Sequence, residues 1–186
     1  GLTLHDVKRI GMGIPGMISA KTGELFGAHN LPTWDNTPVA ALLEEHIGIP
    51  VTLVNDANAA AYGEFWIGRG RDHHSLAMVT LGTGVGGGIV VDDQLIGGAH
   101  DFGGEVGHLI INASDDSRWC GCGQRGHLEA YCSATAVKNR LNEALEAGSE
   151  SSLRKLLNDG HELTPLDVAA AAAAGDPLSY ELVMET

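Results

Sequence analysis

The sequence predicts an α/β fold, and three observations carry that expectation. An apolar run at Pro50–Val54 is followed at once by an Ala-rich stretch of helical character from about Ala57 to Trp66, the strand–helix alternation of α/β proteins. Upstream, Arg9–Ser19 (RIGMGIPGMIS) reads as a strand broken by a Gly-Ile-Pro-Gly turn. Further on, the runs Ser75–Leu81 and Gly88–Val91 flank Gly-Thr-Gly-Val-Gly-Gly, and together they read as a hairpin with a glycine-rich connection.

The remaining elements follow in order. Thr37-Pro38 marks a helix start, with Thr37 as N-cap and Pro38 at the first helical position. Val39, Leu42, Leu43 and Ile47 then recur at helical spacing and give one apolar face, and Gly48 ends the helix. From Gly97 to Gly126 the chain reads as irregular, with a short strand around His108–Ile111. The rest reads as helical: Ala134–Ala147, a second helix from Thr164-Pro165 with Asp167 completing an N-terminal cap pattern, and a third from Asp176-Pro177 that runs off the end. Because that helix opens so near the terminus, and the chain opens with Gly1 rather than Met, both ends read as cut.

Composition narrows the classes of function. With 186 residues, 44% of them apolar, the chain can bury a substantial core as one domain or two small ones. A net charge of −13 argues against a nucleic-acid partner, since phosphate backbones require clustered Lys and Arg. Three cysteines, two of them in Cys-Gly-Cys, do not make a secreted disulfide framework and point to a metal in a reducing, cytoplasmic setting. No apolar run approaches the roughly 18 residues that span a membrane.

Three segments carry chemistry. In Val51-Thr-Leu-Val-Asn55-Asp56-Ala-Asn58 a strand delivers Asn55 and Asp56 to its carboxyl end, where α/β proteins place ligands. A carboxylate there can take the proton of a substrate hydroxyl during phosphoryl transfer; alternatively, Asp56 caps the following helix. In Leu81-Gly-Thr-Gly-Val-Gly-Gly-Gly88, glycine fills five of the seven positions after Leu81, so that backbone N–H groups can crowd around an anion with the Thr83 hydroxyl beside them. The plain alternative is a hairpin turn. The third segment runs from Glu105-Val-Gly-His108 to Cys120-Gly-Cys122 and His127-Leu-Glu129. Two Cys and two His within 20 residues, separated by glycines, suit a tetrahedral Zn²⁺, against the alternative of buried thiols and surface histidines. Cys132 reads as a core residue, His73 and His74 as solvated, and Trp34, Trp66 and Trp119 as packing residues.

In this order the pieces resemble the ROK family (repressor, open reading frame, kinase). The landmarks are Gly-Ile-Pro-Gly at 13–16, Asn30-Leu-Pro, Asn55-Asp56-Ala-Asn58-Ala-Ala, Gly82-Thr-Gly-Val-Gly-Gly, Glu105-x-Gly-His108 and Cys-x-Cys-Gly-x-x-Gly-x-x-Glu at 120–129. The resemblance implies an actin/hexokinase-like (ribonuclease H-like) fold of two α/β lobes, incomplete at both ends, with residues 1–66 in the first lobe and 67–186 in the second. It implies ATP-dependent phosphorylation of a hexose at its 6-hydroxyl, glucose first, with Mg²⁺ accompanying ATP. Asp56 would be the general base. Asn30, Asn55, Glu105, His108 and Glu129 would hold the sugar, and Gly82, Thr83, Gly84, Gly86 and Gly87 the phosphates. The resemblance also implies a structural zinc site and a homo-oligomer.

Two departures qualify it. His127 stands where the family usually has a third cysteine, so the expected zinc ligands are His108, Cys120, Cys122 and His127. An early Asp-x-Gly-Gly-Thr phosphate loop and a late Gly-Gly adenosine segment are both missing from these residues. The rival readings are the sugar-sensing body of a ROK transcription repressor, an N-acetylmannosamine, N-acetylglucosamine or fructose kinase, and a zinc-stabilised sugar-binding module without catalysis.

Overall fold

A computed structural model describes residues 1–186 with the exception of Leu2, His29, Asn30 and Pro32. The chain packs as two compact units, one of Gly1–Thr80 with Gly86–Val106, the other of Leu81–Val85 with Gly107–Thr186. No helix among the described residues is long and apolar enough to cross a membrane.

In the first unit, β1 (Ile10–Ile14) pairs in parallel with β4 (Val51–Asn55), placing Ile14 beside Asn55. The expected break falls at Pro15-Gly16, since Gly13 and Ile14 still belong to β1, and the chain returns through β2 (Met17–Ile18) and β3 (Leu25–Gly27), an antiparallel pair. Gly16 makes that turn at φ +100°, and a Cβ there would fall 2.4 Å from the Gly27 carbonyl oxygen. Ile14, Ile18, Leu25, Val39, Ala40, Val51 and Leu53 form the core of this unit.

Helix α1 (Val39–Ile47) starts one residue later than the sequence suggests. Pro38 is its N-cap, and Thr37 makes no side-chain cap because its backbone is bridged to Leu25, with N···O distances of 2.9 and 3.0 Å. Its buried face also differs: Val39 and Ala40 are buried, whereas Leu42 is 52% exposed. Ala40 is drawn in by the close approach of Gly23, where an added Cβ would come within 2.3 Å of the Ala40 Cβ. The expected stop holds, with Gly48 left-handed at φ +74°.

Helix α2 (Asp56–Trp66) follows β4 directly. The hairpin is tighter than expected: β5 (Leu76–Leu81) and β6 (Val85–Val91) leave only Gly82–Gly84 as the turn, and β7 (Gln94–Leu95) completes a sheet in the order β5-β6-β7. Gly86, Gly87 and Gly88 therefore lie in a strand. Their missing side chains admit neighbours: an added Cβ would fall 2.8 Å from that of Ala57 at Gly86, 2.6 Å from a Val106 methyl at Gly87, and 2.4 Å from the Ala61 Cβ at Gly88.

The second unit holds α3 (Glu129–Cys132), α4 (Ala134–Glu146), α5 (Leu153–Asn158), α6 (Pro165–Ala173) and α7 (Pro177–Met184). Leu141, Leu145, Leu153, Leu163, Val168, Leu178 and Leu182 make its core. Thr164 and Asp167 form the expected capping box of α6. The short helices α3 and α5 were not legible in the sequence, and around His108–Ile111 a 3-10 turn, Val106–His108, and a single bridge replace the expected strand. The tryptophans are a further correction: Trp34, Trp66 and Trp119 are 41%, 71% and 64% exposed, so none is buried packing.

Asp176 ties two of these helices together. One carboxylate oxygen caps α7 by accepting the Ser179 N–H at 2.8 Å, and the other accepts the Ser152 N–H and hydroxyl at 2.6 and 2.9 Å. Burial alone would raise its pKa; the hydrogen bonds from Ser179 and Ser152 outweigh that and hold the carboxyl well below the usual range. A depressed folded value means the stabilisation is complete above the unfolded pKa of about 3.9, shrinks as pH falls below that, and is gone only once pH has passed through the folded value. Asp176→Ala should lower stability by about 1–3 kcal/mol at neutral pH. Urea melts of mutant and parent should draw progressively closer as pH is lowered below about 4, and converge only in stronger acid, below the depressed folded value.

Candidate active site and metal centre

The two chemistry-bearing groups are built in different units, and each has its own local cause. In the first unit, β4 ends at Asn55, whose side-chain oxygen accepts the N–H groups of Ala57 and Asn58 at 3.0 and 3.1 Å. Asn55 is thus the N-cap of α2. Its amide donates to the Gly16 carbonyl at 3.2 Å, which fixes the strand end to the turn after β1. The start of α2 packs against β1 at Gly13, where a Cβ would sit in ordinary contact, 3.5 Å from the Asp56 Cα. With capping supplied by Asn55, Asp56 is left exposed on the first turn, one oxygen 2.9 Å from the Ala57 N–H. The helix dipole favours an anion there.

Asn58, on the same first turn, has a packing role the sequence did not disclose. It is buried at 8% exposure, and its side-chain oxygen occupies the space that Cβ atoms on Gly88 and Gly104 would take, 3.1 and 2.6 Å away. The first turn of α2 thereby props the loop that carries half-buried Glu105. A buried Asn between two glycines far apart in sequence leaves no local signal. Asn30 lies outside the described residues.

In the second unit, His108, Cys120, Cys122 and His127 converge, their ligand atoms all within 4.8 Å of one another. Backbone geometry explains the convergence. The Cys120 N–H donates to the Gln124 carbonyl at 2.8 Å and the Gly123 N–H to the Cys120 carbonyl at 3.0 Å, closing a tight knuckle. Gly126, at φ +76°, lies so close to Asn112 that a Cβ would meet its carbonyl oxygen at 1.8 Å. The bridge between Ile110 and His127, with the Leu128 N–H on the Leu109 carbonyl at 2.9 Å, then brings His127 beside His108. At the rim, the Arg125 guanidinium lies 4.1 Å over the Trp119 ring, a cation–π contact that occupies the exposed indole.

Three of the six ligand-atom separations come near those around a tetrahedral ion. His108 Nδ1 and His127 Nδ1 are 3.2 Å apart, Cys122 Sγ and His127 Nδ1 3.2 Å, and Cys120 Sγ and His108 Nδ1 3.9 Å. Bonds of about 2.3 Å to sulfur and about 2.0–2.1 Å to nitrogen imply tetrahedral edges of roughly 3.3–3.8 Å. Burial pushes the Cys120 thiol up to about 11, so that without a cation to neutralise it this sulfur holds its proton.

Glu129, at the start of α3, borders the same cluster. One of its oxygens accepts the Val85 N–H at 2.8 Å, and the other lies 3.8 Å from Cys120 Sγ. Of the glycine-rich segment, the turn Gly82–Gly84 is closed by the Gly82 N–H on the Gly84 carbonyl at 3.0 Å. Cys132 is half-buried, its thiol 3.4 Å from the Leu128 carbonyl.

Residues 3–185 match the profile of the ROK family, and the chain belongs to that family. It is 38% identical over 178 residues to a protein of Halalkalibacterium halodurans named glucokinase, covering 96% of this chain and 53% of that one. It is 35% identical over 183 residues to the xylose repressor of Caldicellulosiruptor bescii, covering 98% of this chain and 45% of that one. Among solved structures, the ROK family glucokinase of Streptomyces griseus in complex with glucose and AMPPNP is 34% identical, with a TM-score of 0.76 over 97% of this chain and 58% of that one. The fold is thus the actin/hexokinase-like α/β fold expected from the sequence. The chain spans about half the length of the curated relatives it matches.

Asn55 offers a separable test of the local geometry. Asn55→Ala removes both the cap and the Gly16 contact and should cost about 1–2 kcal/mol. Asn55→Asp keeps an acceptor for the cap but cannot donate to Gly16, and should recover most of the loss. Thermal melts followed by circular dichroism read the difference.

Proposed function

We propose that the whole protein is an ATP-dependent sugar kinase that phosphorylates a hexose at its 6-hydroxyl, glucose being the first choice, with Asp56 as general base. The observation that carries this reading is the division of labour at the end of β4: Asn55 caps the helix, which leaves the Asp56 carboxylate exposed for a proton. As the sugar oxygen forms its bond to the γ-phosphorus and the bond to ADP breaks, Asp56 takes the hydroxyl proton. A positioned base contributes about 10²–10⁴ in rate, and the remainder comes from alignment and from neutralising phosphoryl charge.

Asn55, Glu105, His108 and Glu129 bind the sugar's other hydroxyls in this reading, with Asn30 alongside them. Gly82, Thr83 and Gly84 meet the phosphates through backbone N–H groups. A chain with 11 Lys and Arg against 24 Asp and Glu must bind phosphate largely through amides and through the Mg²⁺ that accompanies ATP. Gly86 and Gly87 serve the same loop indirectly, by letting β6 approach its neighbours. His108, Cys120, Cys122 and His127 hold Zn²⁺, which when bound cross-links the glycine-rich segment and fixes the orientation of His108. The lobe assignment of 1–66 and 67–186, a cytoplasmic location and assembly as a homo-oligomer belong to the same proposal.

The similarity to a xylose repressor supports a second reading, in which the same sugar site serves a transcription repressor. Assay of the full-length gene product with ATP and glucose, N-acetylmannosamine, N-acetylglucosamine or fructose separates the two. Turnover of one sugar, reduced by about 10²–10⁴ in Asp56→Asn with sugar affinity nearly unchanged, is the expected result. Absence of turnover with all four from folded, zinc-loaded protein moves the assignment to the repressor.

The metal assignment has its own check. Purified protein should contain zinc, and chelation should lower its melting temperature. His127→Ala should weaken zinc binding by more than about tenfold, as read by competition with a chromogenic chelator.

A further inference from the structure

The turn Gly82–Gly84 is gripped from outside at three points, all in the second unit. The Ala134 N–H donates to the Gly82 carbonyl at 2.9 Å, and the Thr135 hydroxyl donates to the Thr83 carbonyl at 2.8 Å. On the far side the Val85 N–H donates to Glu129 at 2.8 Å. A side chain at Gly84 would disturb this arrangement, because a Cβ there would fall 2.4 Å from the same Glu129 oxygen and push the carboxylate aside. The next residue is held as closely: a Cβ on Gly107, adjacent to the metal ligand His108, would lie 2.1 Å from the Val85 carbonyl oxygen.

These contacts fix the orientation of the turn's peptide groups. The carbonyls of Gly82 and Thr83 are directed to the first turn of α4, whose own N-cap, buried Ser133, receives the Ala136 N–H at 3.0 Å. With their carbonyls engaged, neither the Thr83 nor the Gly84 N–H has a partner among the described residues. Two successive free amides on a glycine turn form an anion-binding concavity, provided the peptide planes cannot rotate. Loss of the carbonyl contacts would let them rotate.

We propose that Thr135 and Glu129 are positioning residues that hold the Gly82–Gly84 turn in its phosphate-binding shape and link it mechanically to the metal-ligand cluster. The proposal rests on the reading of this turn as the nucleotide phosphate site. Glu129 is the link. One carboxylate sets the Val85 backbone at 2.8 Å and approaches the ligand Cys120 at 3.8 Å, so a knuckle that loosens carries Glu129 with it. Thr135 is the better probe, because it is exposed and its valine isostere keeps shape while deleting the hydroxyl.

The experiment uses the full-length, zinc-loaded gene product and its Thr135→Val and Thr135→Ser variants. Hydrogen–deuterium exchange by mass spectrometry reads the peptide containing residues 81–86, and calorimetry reads binding of a non-hydrolysable ATP analogue and of sugar. Thr135→Val should accelerate exchange in that peptide and weaken the nucleotide by about 2–10-fold, the loss of one hydrogen bond, with sugar affinity unchanged. Thr135→Ser should restore both. Removing zinc from the parent protein should accelerate exchange in the same peptide. Exchange and nucleotide affinity that are identical in parent and Thr135→Val would overturn the proposal while leaving the kinase reading intact. A parent protein that binds sugar but no nucleotide overturns the phosphate assignment of the turn, and the positioning role with it.

Discussion

The Val85 N–H points at a Glu129 oxygen 2.8 Å away, and much of the second unit depends on that contact. Val85 begins β6, Glu129 begins α3, and the knuckle that carries Cys120 and Cys122 lies between them in sequence. A hydrogen bond to a carboxylate is about twice as strong as one between neutral groups, and here it joins segments 44 residues apart. Without it the hairpin tip, the knuckle and the first turn of α4 would be held by separate, weaker contacts.

Glycine makes these approaches possible, in two different ways. At Gly16 and Gly126 the backbone is left-handed, a conformation most side chains resist. At Gly86, Gly88 and Gly107 the obstacle is space, since an added Cβ would lie within 2.8 Å of a neighbouring atom at each. The density of glycine therefore reports close packing as much as phosphate contact, and only three of the segment's residues, Gly82–Gly84, stand outside the strands as a turn.

Elements with strong local signals were legible in the sequence. The strands at 10–14 and 51–55, the hairpin, the Gly48 stop, the Thr164–Asp167 capping box and the Asp176 cap all rest on signals within a few residues, and the structure shows each of them. The convergence of His108, Cys120, Cys122 and His127 was foreshadowed for the same reason, as their spacing is compact. What was hidden depends on distant partners. Thr37 lost its capping role to a bridge with Leu25, and Ala40 displaced Leu42 from the core because Gly23 lies against it. The props supplied by Asn58 and Thr135 connect segments about 30 or more residues apart, where periodicity gives no information.

The strand pairs of the first unit have a practical consequence for work at the bench. Among the described residues β1 pairs with β4 alone and β2 with β3, whose Leu25 is also bridged to Thr37, so β1, β2 and β4 each keep one side of the backbone outside any strand pairing. Two-stranded sheets are marginal by themselves, and open edges recruit other chains. Trp66 and Ile67, 71% and 73% exposed at the end of α2, add adhesive surface. Expressed by themselves, these residues would need low concentration, a solubilising fusion or a longer span of the gene to stay dispersed in solution.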